Sequence, residues 1–95
     1  MGSRVKAIVI HEGDNVATAL IALASGTRVP VEVRGLTESI TLASDVPLGH
    51  KFALRDIAKG DPVIKYGEAM GEAVTGIRRG EHVHVPNVVS RRIFT

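Results

Sequence analysis

Gly67, Gly71, Gly76 and Gly80 interrupt the second half of the chain every four or five residues. Glycine in a helix interior costs about 1 kcal/mol relative to alanine, and it is the default residue of tight turns and left-handed backbone. A segment cut at that spacing cannot carry a long helix, and its strands must be short and bent. Elsewhere Val29, Val31 and Val33 alternate with Pro30 and Glu32, while Ile40 and Leu42 flank Thr41, the period-two pattern of half-buried strands. Pro30 argues for an edge strand or an irregular start. Arg4 to Ile10 places Val5, Ala7 and Val9 on one side and Ile8 and Ile10 on the other, and reads as a strand buried on both faces. His50 to Leu54 and Val63 to Tyr66 read as strands on either side of a Lys59-Gly60-Asp61 turn.

One segment reads as helical. Asp14 suits an N-cap, Asn15 to Ala24 is a ten-residue run, and Gly26 suits the left-handed position after a helix, so one main helix is expected over about 15–25. It is apolar almost all round, with only Asn15 and Thr18 polar, and a helix without a polar face needs cover on every side. Part of it is expected to meet another chain. The fold class that follows is mixed α+β, mainly β: one helix on short strands joined by glycine turns, without an internal repeat.

Ninety-five residues make a single domain, residues 1–95, in which Gly2 and Ser3 read as a cloning remnant. Apolar residues at 44% and charged residues at 23% exclude the composition of a disordered chain. A chain of this length buries less than about 70% of its unfolded surface. With Phe52, Tyr66 and Phe94 as its only aromatics the core must be small aliphatics, which points to a homo-oligomer or a partner. The absence of cysteine excludes a disulfide framework, a thiolate zinc site and a cysteine nucleophile. No apolar run approaches the roughly 20 residues that span a bilayer, and the start lacks a signal-peptide core, so a cytoplasmic protein with no membrane contact is expected. A net charge of +2, scattered basic residues and three aromatics do not make a nucleic-acid surface.

Four histidines carry most of the chemical potential. His11 ends the first strand beside Asp14 and Asn15, where the amides and dipole of the expected helix would favour an anion; the plainer alternative is a helix cap and a solvated loop histidine. His50 and Lys51 follow Pro47-Leu48-Gly49 where a turn enters a strand, and either present a cation to an acidic ligand or form an ordinary surface turn. His82 and His84 alternate with Val83 and Val85, so both imidazoles share one strand face, a spacing that allows one metal ion if a carboxylate such as Glu81 completes the set. Tyr66 is the lone tyrosine, either an acid–base group or a core-edge residue. The glycines follow no phosphate-loop pattern, which removes support for nucleotide binding.

Four ordered segments carry a resemblance: His11-Glu12-Gly13-Asp14-Asn15-Val16-Ala17-Thr18-Ala19-Leu20, Asp45-Val46-Pro47-Leu48-Gly49-His50-Lys51-Phe52-Ala53-Leu54-Arg55-Asp56-Ile57, Val63-Ile64-Lys65-Tyr66-Gly67 and Gly80-Glu81-His82-Val83-His84-Val85-Pro86-Asn87. Together they resemble the N-terminal domain of the altronate and galactarate dehydratases, with a departure at Pro86, where a further histidine or polar residue is common. The resemblance implies an SAF-type domain of β-clip architecture, fused to a large catalytic domain or made as a separate small subunit. It also implies elimination from a small acidic sugar, with iron or manganese in the assembled enzyme and a large catalytic dehydratase subunit as partner. On that reading His11, His50 and Lys51 act in catalysis, Asp14, Asn15, Tyr66 and Asn87 bind substrate, and His82 and His84 are metal candidates. Two alternatives stand beside it: the small subunit of a sulfolactate sulfo-lyase, and a non-catalytic module that holds a sugar acid or a protein surface.

Overall fold

The computed structural model describes residues 5–84 and 88–90, and among them there are nine strands and no helix. The strands are β1 (Ala7–Ile8), β2 (Val16–Ala19), β3 (Arg28–Val33), β4 (Leu36–Thr41), β5 (Lys51–Ala53), β6 (Pro62–Lys65), β7 (Glu68–Ala73), β8 (His82–Val83) and β9 (Val88–Ser90). They form a four-stranded sheet in the order β1-β2-β5-β8, a two-stranded ribbon β3-β4, and a three-stranded sheet β6-β7-β9, with every pairing antiparallel.

The expected helix is replaced by a strand and a turn. Val16, Ala17 and Ala19 form β2, the interior strand between β1 and β5, and none is more than 1% exposed. Its two faces serve two cores: Ala17 and Ala19 pack in a cluster with Phe52, Val29, Ile40 and Leu54, whereas Val16 packs with Ala53, Ile57, Val63, Ile77 and Val83. An interior strand covered on both faces is apolar all round for the same reason as a buried helix, so the pattern alone does not separate them. Each valine, leucine or isoleucine so enclosed contributes about 1.5–3 kcal/mol. The rest of the run, from Leu20, is a turn in which Leu23 bridges Val46. The first strand is also shorter than its pattern: β1 is an outer strand of the sheet, Ala7 is buried, and Val5 and Ile10 are exposed.

The backbone contains an internal repeat that contradicts the reading of the chain as non-repetitive. A turn, a hairpin and a second turn occur twice. In the first copy the amide of Gly26 donates to the carbonyl of Leu42, the amide of Leu42 donates to Thr27, and Leu23 and Val46 exchange two bonds. In the second copy Gly60 donates to Ala73, Ala73 to Asp61, and Ile57 and Ile77 exchange two bonds. The repeat is carried by one short pattern, a buried aliphatic followed three residues later by glycine: Leu23 and Gly26, Val46 and Gly49, Ile57 and Gly60, Ile77 and Gly80. All four glycines have φ between +82° and +90°, which is why that position recurs as glycine. The hairpins differ in length, with six-residue strands in β3 and β4 and four and six residues in β6 and β7.

Candidate functional site

The second turn of each copy delivers a strand into the central sheet. Gly49 donates to Ala19 and Gly80 to Ala53, while the carbonyls of His50 and Glu81 accept from the amides of Ala19 and Ala53. The first pair of bonds sets β5 beside β2, and the second sets β8 beside β5 with Phe52 opposite His82 and Lys51 opposite Val83. The duplicated turn therefore brings His50 and His82 together although 32 positions separate them: Nδ1 of His50 lies 2.9 Å from Nε2 of His82. One of the two nitrogens carries the proton and donates to the other. The His82 and His84 rings stack 4.1 Å apart and 11° from parallel, so three imidazoles form a row. The backbone amide of His82 donates to Oγ of Ser44 at 2.8 Å, which ties the row to the turn of the first copy. Burial, and then the neighbouring charges of His84, His50 and Lys51, hold His82 below its ordinary value.

Lys51, the first residue of β5 and the neighbour of His50, is on the opposite face of the sheet. The pleat aligns it with Thr18 and Val83, while His82 aligns with Phe52. Half-burial, and secondarily the charge of Lys65, hold the Lys51 ammonium below its ordinary value. Lys65 itself places Nζ 4.8 Å from the centre of the exposed Tyr66 ring.

His11, Asp14 and Asn15 gather at the β6-β7 hairpin. Asp14 is fully buried; its Oδ2 accepts the amide of His11 and its Oδ1 accepts the amide of Gly67. Asn15 donates from Nδ2 to the carbonyl of Pro62 and accepts the amide of Ile64 at Oδ1. Nδ1 of His11 accepts the amide of Gly13, and a side chain added at Gly67 would press on the His11 ring at 3.1 Å. With no helix beginning at Asn15, the helix-end anion site expected here does not form. Asn87 lies outside the described residues.

Among the described residues no group of three or more histidine, aspartate or glutamate side chains is placed to hold a metal ion. Imidazole lone pairs lie in the ring plane, and the near-parallel planes of His82 and His84 do not meet at one ion. In this arrangement the donor set does not fit iron or manganese.

The model of the altronate/galactarate dehydratase SAF domain matches residues 5–91. The chain belongs to that family. This SAF domain is 54% identical over 80 residues to altronate dehydratase of Escherichia coli K12, a match that covers 84% of the chain and 15% of the enzyme. It is 38% identical over 84 residues to the galactarate dehydratase (L-threo-forming) of the same organism, again 15% of that enzyme. The alpha subunit of (2R)-sulfolactate sulfo-lyase from Chromohalobacter salexigens is 37% identical over 90 residues, and there the match covers 94% of the relative. The SAF domain thus spans about a seventh of the dehydratases and nearly all of the sulfo-lyase subunit.

Within the SAF domain the structure unites His50, His82 and His84 on one face, with Lys51 behind them near Lys65. His11, Asp14 and Asn15 form a separate group against the second hairpin. Ser44 and Lys65 were not singled out by the residue patterns. Lys65 had a signal, adjacency to the lone tyrosine, whereas Ser44 had none in the sequence, because its partner is 38 positions away.

Proposed function

We propose that the chain is the SAF-type small subunit or N-terminal domain of a cytoplasmic hydro-lyase acting on a small acidic sugar, adding polar groups to a site completed by a large catalytic subunit. The contact between His50 and His82 carries the reading. Elimination beside a carboxylate needs a base for the α-proton. With the proton on Nδ1 of His50 donated to Nε2 of His82, the other nitrogen of His50 keeps its lone pair on an exposed side chain and can take that proton. The resulting imidazolium keeps its hydrogen bond to His82, which is disposed to stay neutral and accept. Lys51 supplies positive potential behind the row. In this reading the metal that such an enzyme uses is held by the large subunit.

The test is turnover of the assembled enzyme with His50→Gln. Loss of about a hundredfold or more in kcat, with assembly unchanged by size-exclusion chromatography, is the expected result for a general base. Undiminished turnover removes His50 from the chemistry.

The match over 94% of a sulfo-lyase alpha subunit favours a second reading, in which the same base serves an elimination that expels sulfite. Assay of the assembled enzyme on altronate, galactarate and sulfolactate separates the two.

A further inference from the structure

A cleft of about 530 Å³ lies between the tip of the β3-β4 hairpin and the turn that follows β5, lined by none of the imidazole-row residues. Its walls carry Arg34, Arg55 and Arg79, with Glu38 beside Arg79 and Leu36 at 72% exposure on the rim. Val33 and Leu54, both largely buried, also line it, and an apolar lining strengthens any charge–charge contact made above it.

Three observations point to a ligand. The left-handed tip is not one of them: Arg34 has φ +54° and Tyr66 of the second hairpin has φ +58°, so that conformation belongs to both hairpins. Arg79 is held in place, its Nη2 reaching Oε1 of Glu38 and the carbonyl of Ser39 at 3.4 Å, so its remaining guanidinium donors are already oriented. Among the described residues neither Arg34 nor Arg55 has an ion-pair partner, and Oδ1 of Asp56, an acid on the same wall, is taken by the backbone amide of Arg79. The two hairpin tips also differ: the His11 ring packs on Gly67 of the second, whereas nothing lies within 4 Å of a side chain added at Gly35 of the first.

The geometry points to a binding site for a small dianion, a phosphate group or a pair of carboxylates, between Arg34, Arg55 and Arg79. It is separate from the imidazole row and does not depend on the function proposed for that row. Guanidinium groups favour such anions because their forked donors match two oxygens at once.

The experiment is residue-resolved NMR of the full chain titrated with inorganic phosphate and, separately, with succinate. Saturable shifts at the amides of residues 34–36, 54–56 and 79, weakened about tenfold or more by Arg55→Ala and by the turn-compatible Arg34→Asn, are expected. Spectra unchanged elsewhere show that both variants fold. Saturation with only one titrant assigns the site to phosphate or to dicarboxylate. Shifts confined to residues 51, 65 and 82, shifts linear in concentration, or affinities unaltered by both substitutions overturn the proposal.

Discussion

Nε2 of His82 sits 2.9 Å from Nδ1 of His50, and the strand pairing that creates this contact places Lys51 on the other face of the same sheet. Two chemically different surfaces therefore share one pair of strands. One presents a row of imidazoles, the other an ammonium held below its ordinary value by burial and by the charge of a second lysine.

Acidification should act through His82. Burial and neighbouring positive charge hold the folded-state value of this imidazole below its ordinary 6.5. Between the lowered value and 6.5 the unfolded chain binds more protons, so stability is fully present above that window and falls as pH drops through it. Thermal melts from pH 7.5 to 5 should show a declining Tm, and His82→Gln should flatten the decline. An equally steep decline in the variant would assign it to other groups.

Asp14 should behave as a structural anchor. Its buried carboxylate accepts the amides of His11 and Gly67, and charged hydrogen bonds of this kind contribute about 1.5–3 kcal/mol each. Asp14→Ala is expected to lower the urea-unfolding free energy by about 3 kcal/mol or more. A loss below about 1 kcal/mol would return Asp14 to the candidates for substrate contact.

Glycines of the repeated turn should differ in tolerance. Gly26 and Gly80 share a left-handed backbone, φ +87° and +86°. A side chain at Gly26 meets nothing within 4 Å, so Gly26→Ala should cost about 1–2 kcal/mol, the strain of that conformation. At Gly80 the added carbon overlaps the carbonyl oxygen of Thr41, and Gly80→Ala should cost well over twice as much or prevent folding. Urea melts of the two variants, side by side, test this.

Phe52 is the one aromatic ring in the described cores and is fully buried opposite His82. Phe52→Ala should cost about 3–5 kcal/mol through lost burial and a cavity. Because the same strand holds His50 in place, imidazole titrations by NMR should change together with stability.

The ribbon strands were legible because one face of each is solvated: Val29, Val31 and Val33 are buried while Pro30 and Glu32 are exposed, as the alternation requires. The shared face of His82 and His84 was legible for the same reason, with Val83 buried between them. The segment from Val16 to Leu23 was not, since a strand enclosed on two sides has no period to read. The roles of Asp14 and Asn15 depend on partners 47 to 53 positions away, which local spacing does not encode. The repeat left only four aliphatic–glycine pairs as its trace, because backbone bonds rather than side chains define each turn.

The two hairpins differ in length, yet the turns beneath them close with matching bonds. The base of the first ribbon is part of the frame, because Val29 and Ile40 pack with Phe52, whereas its tip is an arm whose reach can be altered without disturbing where His50 and His82 meet. An extension inserted at the Arg34-Gly35 tip would redirect what the outer arm touches while the imidazole pair stays in register.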